Sequence, residues 1–541
     1  MAVPETQAPQ QAPAEAQNAP AKLSSEPKKK LLGRELYKSL GSPKYIVAPM
    51  VDRSEFAWRM LTRSFMPSDS PTPLLSYSPM YHARMFGENA GYRDSCFRPT
   101  RAENGDENNT PYLDGNPSID RPLFVQFCTN NPDEFLEASK HVAPYCDAVD
   151  LNLGCPQGIA RKGHYGAFLQ EDWDLIYKLI NRLHNELPVP VTAKFRIQET
   201  KEKTLEYAKM ILSAGASIIT LHGRTIEQKG HNTGIADWSY IRYLRDNLPP
   251  DTVIFANGNI LSHDDLERCL EETGADGVMS AECNLSDPSV FSKPPAEGTH
   301  GREYWRGRDG RGGYRIDAVF RRYLDIVYKY VLEQPAPERK PLYLPSDPEQ
   351  PELEADTFAE EEGEGPPKKR LKRERNKRPA SPSLAVMQGH LFQLLRPMIS
   401  VHTNVRNALA ASRPGDMASF ERVLSLTEKA VKAGLDEYEE HPERFETPAD
   451  AELKGSKVTI AEYGRPFWVC QPHIRPLPEE AMELGALTAK KKGKGKENKP
   501  AADEEPSDKE KIPDTKGTAT PSDKPVEPDS ATATPDRLVS G

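Results

Sequence analysis

Nowhere in the 541 residues do about 18 apolar side chains run together, so no stretch reads as a membrane-crossing helix. The N-terminus, rich in Pro, Ala and Gln, lacks the apolar core of a secretory signal. Of the seven cysteines (Cys96, Cys128, Cys146, Cys155, Cys269, Cys283 and Cys470), no two form a CxxC pair or the spacing of a zinc site or disulfide framework. No GxGxxG follows a strand-like run, so no separate nicotinamide domain is marked. These absences predict a soluble protein of a reducing intracellular compartment, with no membrane partner and no metal. The oligomeric state is not legible, and a monomer is the expectation.

A net charge of −10 would argue against a nucleic-acid partner if it were evenly spread. It is not. The acidic residues crowd into segments without an apolar pattern, and the 50 prolines, 37% hydrophobic content and mean hydropathy of −0.69 average an apolar middle with polar ends. Residues 1–35 read as a disordered lead-in, 345–383 as a disordered acidic and then basic insertion, and 488–541 as a disordered tail. The insertion contains Lys368 to Arg378, with eight basic residues in eleven, and the tail contains Lys490 to Lys496. Each cluster suits a nuclear localisation signal or non-specific RNA attraction, so residence in nucleus and/or cytoplasm is left open.

From Tyr45 eight strand-like runs follow: Tyr45 to Val51, Leu74 to Tyr77, Leu123 to Phe127, Val149 to Leu153, Val191 to Phe195, Ile218 to His222, Val253 to Asn257 and Gly277 to Ala281. Helical stretches lie between most of them, among them Asp133 to His141, Trp173 to Asn185, Thr204 to Ala214 and Asp264 to Glu272. That alternation predicts an α/β fold, a (β/α)8 TIM barrel over 40–300, with a doubly wound sheet as the alternative. The polar stretch from Arg93 to Pro122 reads as an elaborated loop. Helical spacing at Ile316, Val319, Phe320, Tyr323, Val327 and Tyr330 resumes from Leu384, predicting a small helical domain over 301–335 and 384–445.

The run Ala148-Val149-Asp150-Leu151-Asn152-Leu153-Gly154-Cys155-Pro156 places Cys155 at a strand's carboxyl end, where α/β folds collect catalytic groups. The competing reading is a buried structural thiol. Other strand ends carry Pro49 and Met50, Gln126, Lys194 and Arg196, His222 and Arg224, Asn257-Gly258-Asn259, and Ala281-Glu282. A lysine within an apolar strand needs a partner: Lys194 faces either a bound anion or electron-rich ring, or a barrel carboxylate such as Asp150. Asn257-Gly258-Asn259 is either a phosphate-binding turn or an ordinary one.

From about Tyr45 to Phe291 the chain resembles the flavin-dependent tRNA-dihydrouridine synthases. The resemblance rests on Ala48-Pro49-Met50-Val51, Leu151-Asn152-Leu153-Gly154-Cys155-Pro156, Lys194-Phe195-Arg196, Leu221-His222-Gly223-Arg224-Thr225 and Ala256-Asn257-Gly258-Asn259-Ile260. The wording Gly154-Cys155-Pro156-Gln157, Ala160 to Leu169 and Met279-Ser280-Ala281-Glu282 is similar to the eukaryotic 16/17 branch.

The resemblance implies FMN across the barrel mouth. Pro49, Met50 and Val51 would line the ring, and Gln126 and Lys194 would meet its polar edge. His222 would lie beside the cofactor, with Asn257, Gly258, Asn259, Ala281 and Glu282 around the phosphate. Bacterial members have Gly-Arg where this chain has Ala281-Glu282, which puts that phosphate contact in question. NADPH, or NADH, would supply electrons; Cys155, as general acid, would supply the proton that turns a tRNA uridine into 5,6-dihydrouridine. An ordinary thiol, with pKa ~8.5, stays mostly protonated at neutral pH and can do so. Arg161, Lys162 and His164, with Arg196 and Arg224, are the expected substrate contacts, joined by Arg396, His402 and Arg406 on the helical part; the competing reading is a solvated loop for the first three and solvated helix charges for the last three. Two other readings stay open here: an FMN-dependent barrel reductase of a free pyrimidine or other small molecule, and a non-catalytic RNA-binding scaffold.

Overall fold

Side chains alternate between the interior and the helix-covered outside along the strands of a closed parallel barrel. Its members are β1 (Tyr45–Val47), β2 (Leu75–His82), β3 (Leu123–Cys128), β4 (Ala148–Leu153), β5 (Val191–Arg196), β6 (Ile219–His222), β7 (Ile254–Asn257) and β8 (Gly277–Ser280), each hydrogen-bonded to the next and β8 back to β1. The computed structural model describes residues 30–101, 110–299, 301–348, 381–445 and 453–483. The basic clusters at Lys368 to Arg378 and Lys490 to Lys496, and most of the expected lead-in, insertion and tail, lie outside the described residues.

Period two decides which side chains go where. In β4, Val149, Leu151 and Leu153 pack outward against the helix layer, while Asp150 and Asn152 point into the barrel. The helices begin and end on ordinary local signals. Asn131 caps Pro132–Val142, Asp172 caps Trp173–Glu186, and a Ser262/Asp265 capping box opens His263–Thr273, which ends on Gly274 at φ +63. The doubly wound alternative is excluded by closure of the sheet.

The barrel interior is layered. Ile46, Leu75, Tyr77, Phe124, Ala148, Phe255 and Met279 form an apolar layer together with Leu36 and Tyr37 of the Gly33–Ser39 helix. That helix corrects the expected lead-in at its end: residues 30–35, expected within it, are ordered. Lys30 donates to the carbonyls of His184 and Leu187, and Tyr37 Oη donates to the Asp276 carbonyl. Two apolar residues among polar ones were too short a pattern to read.

The segment from Arg93 to Pro122, expected as an elaborated loop or insertion, is largely irregular but ordered where it is described. It begins inside the Ala90–Cys96 helix, and Phe97 and Leu113 join two hydrophobic cores. Asp114 and Asp120 are buried against Arg59, with Arg63 also on Asp120. Its order comes from ion pairs and turns, which leave no hydrophobic period; residues 102–109, including Asn104-Gly105-Asp106, lie outside the described residues.

The second core joins the barrel to the helical part. Phe56, Trp58 and Leu61 of the Phe56–Arg63 helix pack with Ile316–Ile326, Pro382–Leu394 and Met417–Glu440. Trp58 stacks on His390 at 4.1 Å and 2°, and His390 Nε2 lies 2.8 Å from Glu55 Oε2. A hairpin of β9 (Tyr304–Arg306) and β10 (Gly312–Tyr314) precedes these helices.

Residues 345–348 and 381–383, expected in the insertion, are ordered at its edges: Asp347 pairs with Arg302, and Ser381 and Ser383 are buried. The stretch 453–483 was assigned to no domain by pattern. It forms a strap that buries Trp468, Val469 and Cys470 in the second core and then returns to the barrel mouth.

Candidate active site

Strand register sets the site. Asn152 of β4 lies opposite Lys194 of β5, Arg196 opposite His222 of β6, and His222 opposite Asn257 of β7. Inward-pointing residues of neighbouring strands therefore converge at the carboxyl end of the barrel. Beneath them a polar layer is fully bonded: Gln126 Nε2 and Thr192 Oγ1 donate to the two oxygens of Asp150 at 2.8 and 2.6 Å, and Asn152 Nδ2 donates to Gln126 Oε1 at 2.8 Å. Lys194 Nζ donates to Asn257 Oδ1 at 3.0 Å, and Asn257 Nδ2 donates to the Met279 carbonyl. The lysine thus takes an amide as its hydrogen-bond partner, not Asp150.

Cys155 is half-buried just beyond β4. Its N–H donates to Asn152 Oδ1 at 2.9 Å and that of Gly154 to the same oxygen at 3.1 Å, while its carbonyl accepts from Ala167 N–H. Gly166, at φ +66, lets the following loop close on it; a Cβ there would lie 2.8 Å from the Cys155 carbonyl oxygen. Met80 and Phe168 share the cysteine's apolar surroundings with Cys128, whose own thiol burial pushes up to about 12. Cys128 is buried, whereas Cys155 is half-buried.

Beside it lies a cavity of about 490 Å³, lined by Pro156, Gln157, Arg196, His222, Arg224, Gln228, Lys229, Asn257, Gly258, Asn259, Ala281, Glu282 and Arg475, among others. Most of the expected phosphate-end positions meet here. Burial, with Arg196, Lys194 and Arg224 adding repulsion, drives His222 well below its usual range and keeps it neutral. Arg224 Nη1 lies 3.2 Å from His222 Nε2, an acceptor in the neutral ring. Burial first, then Arg196, lowers Lys194 to about 8; burial brings Arg196 and Arg224 down to about 10. Both arginines remain charged at neutral pH.

Gly258 (φ +114) and Asn259 (φ +60) turn the chain tightly against the cavity, and a Cβ at 258 would lie 2.7 Å from Ala236 Cβ and 3.3 Å from His222 Cδ2. Trp238 Nε1 holds the Gly258 carbonyl at 3.0 Å. An excess of cations around such a turn suits a phosphate.

The other expected residues are distributed unevenly. Pro49 and Met50 are half-buried and Val51 is exposed. Arg161, Lys162 and His164 are exposed on and just after the Gly158–Gly163 helix that follows Cys155. Arg196 and Arg224, also expected at the substrate, both line the cavity. Arg196 is buried and donates to the carbonyls of Gly154, Thr225 and Gln228; Arg224 is buried and donates to Gly234 O and Asn259 Oδ1. Both brace the mouth: Arg196 is the last residue of β5, and Arg224 lies two residues beyond the end of β6. On the helical part His402 packs against Phe467 and Arg406 is exposed. Arg396 is half-buried and feels the charges of Glu282 and Arg475.

Residues 46–304 match the family model described as dihydrouridine synthase. The chain is 42% identical to the tRNA-dihydrouridine(16/17) synthase [NAD(P)(+)] of Schizosaccharomyces pombe, over 83% of this chain and 92% of that one. The Saccharomyces cerevisiae protein of the same name is also 42% identical, over 83% and 87%, and a Mus musculus protein named as like it is 35% identical over 84% and 73%. The chain belongs to the dihydrouridine synthase family. This synthase matches those relatives well beyond the barrel, so the similarity takes in the helical part.

Several cavity residues of the synthase were missed by sequence reasoning: Gln228, Lys229, Gly230 and Thr233 in the loop after β6, and Arg475. Arg475, some 190 residues after β8, pairs with Glu282 at 2.5 Å. No pattern in the sequence links the two.

Proposed function

We propose that this dihydrouridine synthase reduces uridines at positions 16 and 17 of the tRNA D-loop to 5,6-dihydrouridine, with FMN as resident cofactor and NADPH or NADH as electron donor. The donor set fits FMN: the Lys194 ammonium suits the ring's polar edge, Pro49, Met50 and Val51 its flat face, and the cationic turn at Gly258 and Asn259 its phosphate, while Gln126, wholly buried and bonded to Asp150 and Asn152, acts from the layer beneath and not as the ring contact expected of it. When bound, FMN supplies the hydride it has accepted from the nicotinamide.

The chain's own residues do the rest. Cys155 donates its Sγ proton to the ring carbon that does not receive the hydride, and solvent returns that proton afterwards. Asn152 positions the cysteine through its backbone. Neutral His222 adds no charge of its own beside Lys194, which keeps its positive charge at neutral pH.

The base must leave its stack to reach the mouth. Arg161, Lys162 and His164 are exposed beside Cys155, where phosphates would pass, and Arg406 is a further exposed cation, on the helical part. The Lys368 to Arg378 cluster supports nuclear access or added RNA affinity.

The observation that carries the reading is a half-buried Cys155, fixed through two backbone bonds to Asn152, at the mouth where Lys194, His222 and Asn257 converge. The test is a dihydrouridine map of unmodified tRNA treated with NADPH and either the native chain or Cys155→Ala. Positions 16 and 17 should be reduced by the first. The variant should oxidise NADPH yet yield at least about 100-fold less product. Product from free uridine but not from tRNA would replace the tRNA reading with a small-molecule reductase.

A further inference from the structure

The cavity beside Cys155 is roofed by a part of the chain that belongs to neither the barrel nor the helical bundle. The strap starts on the barrel's flank, where Tyr463 Oη donates to Asp265 Oδ1 at 3.1 Å. It is then pinned in the second core: Trp468 is fully buried, Val469 bridges to Arg315, and Cys470 N–H donates to the Tyr314 carbonyl at 2.9 Å. Beyond that it crosses the mouth. Arg475 meets Glu282 just after β8, and the Pro478–Glu483 helix packs on the Gly230–Asn232 turn after β6. The strap therefore spans the loops after β6 and β8, with the turn after β7 between them.

Charge says what the strap closes on. Arg196, Arg224, Lys229 and Arg475 line the cavity, and Glu282 is the one carboxylate among the lining residues. Arg196 and Arg224 already donate to backbone carbonyls, whereas Arg475 is set at the cavity by a carboxylate. A pocket with three formal positive charges in excess is costly unless an anion enters it. The tight turn at Gly258 and Asn259 is where barrels commonly hold a phosphate. Glu282 lies just after β8, and its pairing brings the Arg475 guanidinium to that corner of the cavity from elsewhere in the chain.

We infer that Arg475, carried across the barrel mouth by the 463–483 strap and anchored by Glu282, is a phosphate-recognising residue that makes the cavity select a phosphorylated flavin over one without phosphate. This rests on the flavin reading above. The strap then couples cofactor retention to the helical part, because the core that pins Trp468 also sets the reach of Arg475. Glu282 orients the guanidinium, and the turn after β7 supplies backbone groups to the same anion.

The test compares equilibrium binding of FMN and riboflavin to the full-length chain freed of flavin, read by flavin fluorescence, for the native chain, Arg475→Ala and Arg475→Lys. The native chain should favour FMN. Arg475→Ala should weaken FMN by about 10- to 100-fold, the effect of losing a charge-assisted contact, and leave riboflavin within about twofold. Arg475→Lys should fall between. Equal weakening of both ligands would make Arg475 a purely structural residue and overturn the inference, as would unchanged FMN affinity. Should Arg475→Ala fail to fold, the FMN-to-riboflavin ratio of Arg475→Lys decides in the same way. A native chain that binds neither flavin would instead bring down the flavin reading, and the inference with it.

Discussion

Asn152 holds Cys155 from below: one side-chain oxygen accepts the backbone N–H of Gly154 and of Cys155, while its NH2 donates to Gln126. The reactive loop is thereby tied to the polar layer inside the barrel. Asn152→Ala frees two N–H groups and lets the thiol drift, and a shift near 1 Å at a reacting group costs about 100-fold in rate. We expect kcat to fall by about that factor with KM for tRNA nearly unchanged. Asn152→Asp keeps the acceptor and should recover much of the loss. An alanine variant at full kcat would remove Asn152 from the positioning role.

Arg59 lies wholly buried between Asp114 at 2.9 Å and Asp120 at 2.5 Å, with Arg63 on the other Asp120 oxygen. Burial raises the Asp114 carboxyl, whereas Arg59 and Arg63 together hold Asp120 below its usual range. Removing the arginine strands two carboxylates in the interior. Arg59→Ala should cost about 3–5 kcal/mol of unfolding free energy, measured by urea titration at neutral pH. A loss under about 1 kcal/mol would mean that water reaches the cluster.

That cluster also shows why some of the molecule was illegible in the sequence. Strands such as Ala148–Leu153 declare themselves, because a barrel strand is a short apolar run bounded by turn residues, and inward polar positions such as Gln126, Lys194 and Asn257 follow from the alternation. Cys155 and the cavity-lining residues after β6, β7 and β8 were readable for the same reason: they sit at strand ends. Arg59, Asp114 and Asp120 were not, since ion pairs formed across 55 and 61 residues leave no period. Arg475 is the extreme case. Its partner Glu282 is 193 residues away, and the strap that carries Arg475 holds turns and prolines, not a repeat. Arg196 and Arg224 were placed at the right strand ends, but a sequence does not say that their donors end on backbone carbonyls.

Asp150 gives the barrel interior a pH signature. Burial pushes its carboxyl up to about 6, against the bonds from Gln126 and Thr192 and the nearby Lys194 charge, which pull it down. The unfolded chain titrates near pH 3.9. Because the folded value is the higher one, the native state holds the proton more tightly. The resulting stabilisation is fully present below about pH 4 and lost as the pH rises through about 6. Asp150→Asn has no proton to lose at this position. The stability of the native chain minus that of the variant should therefore fall between pH 4 and 7 by on the order of 3 kcal/mol, read from urea unfolding of both at each pH. Other carboxylates titrate alike in the two chains and cancel in the difference. Parallel curves would show that Asp150 titrates near its unfolded value, and that water rather than Gln126 and Thr192 solvates it.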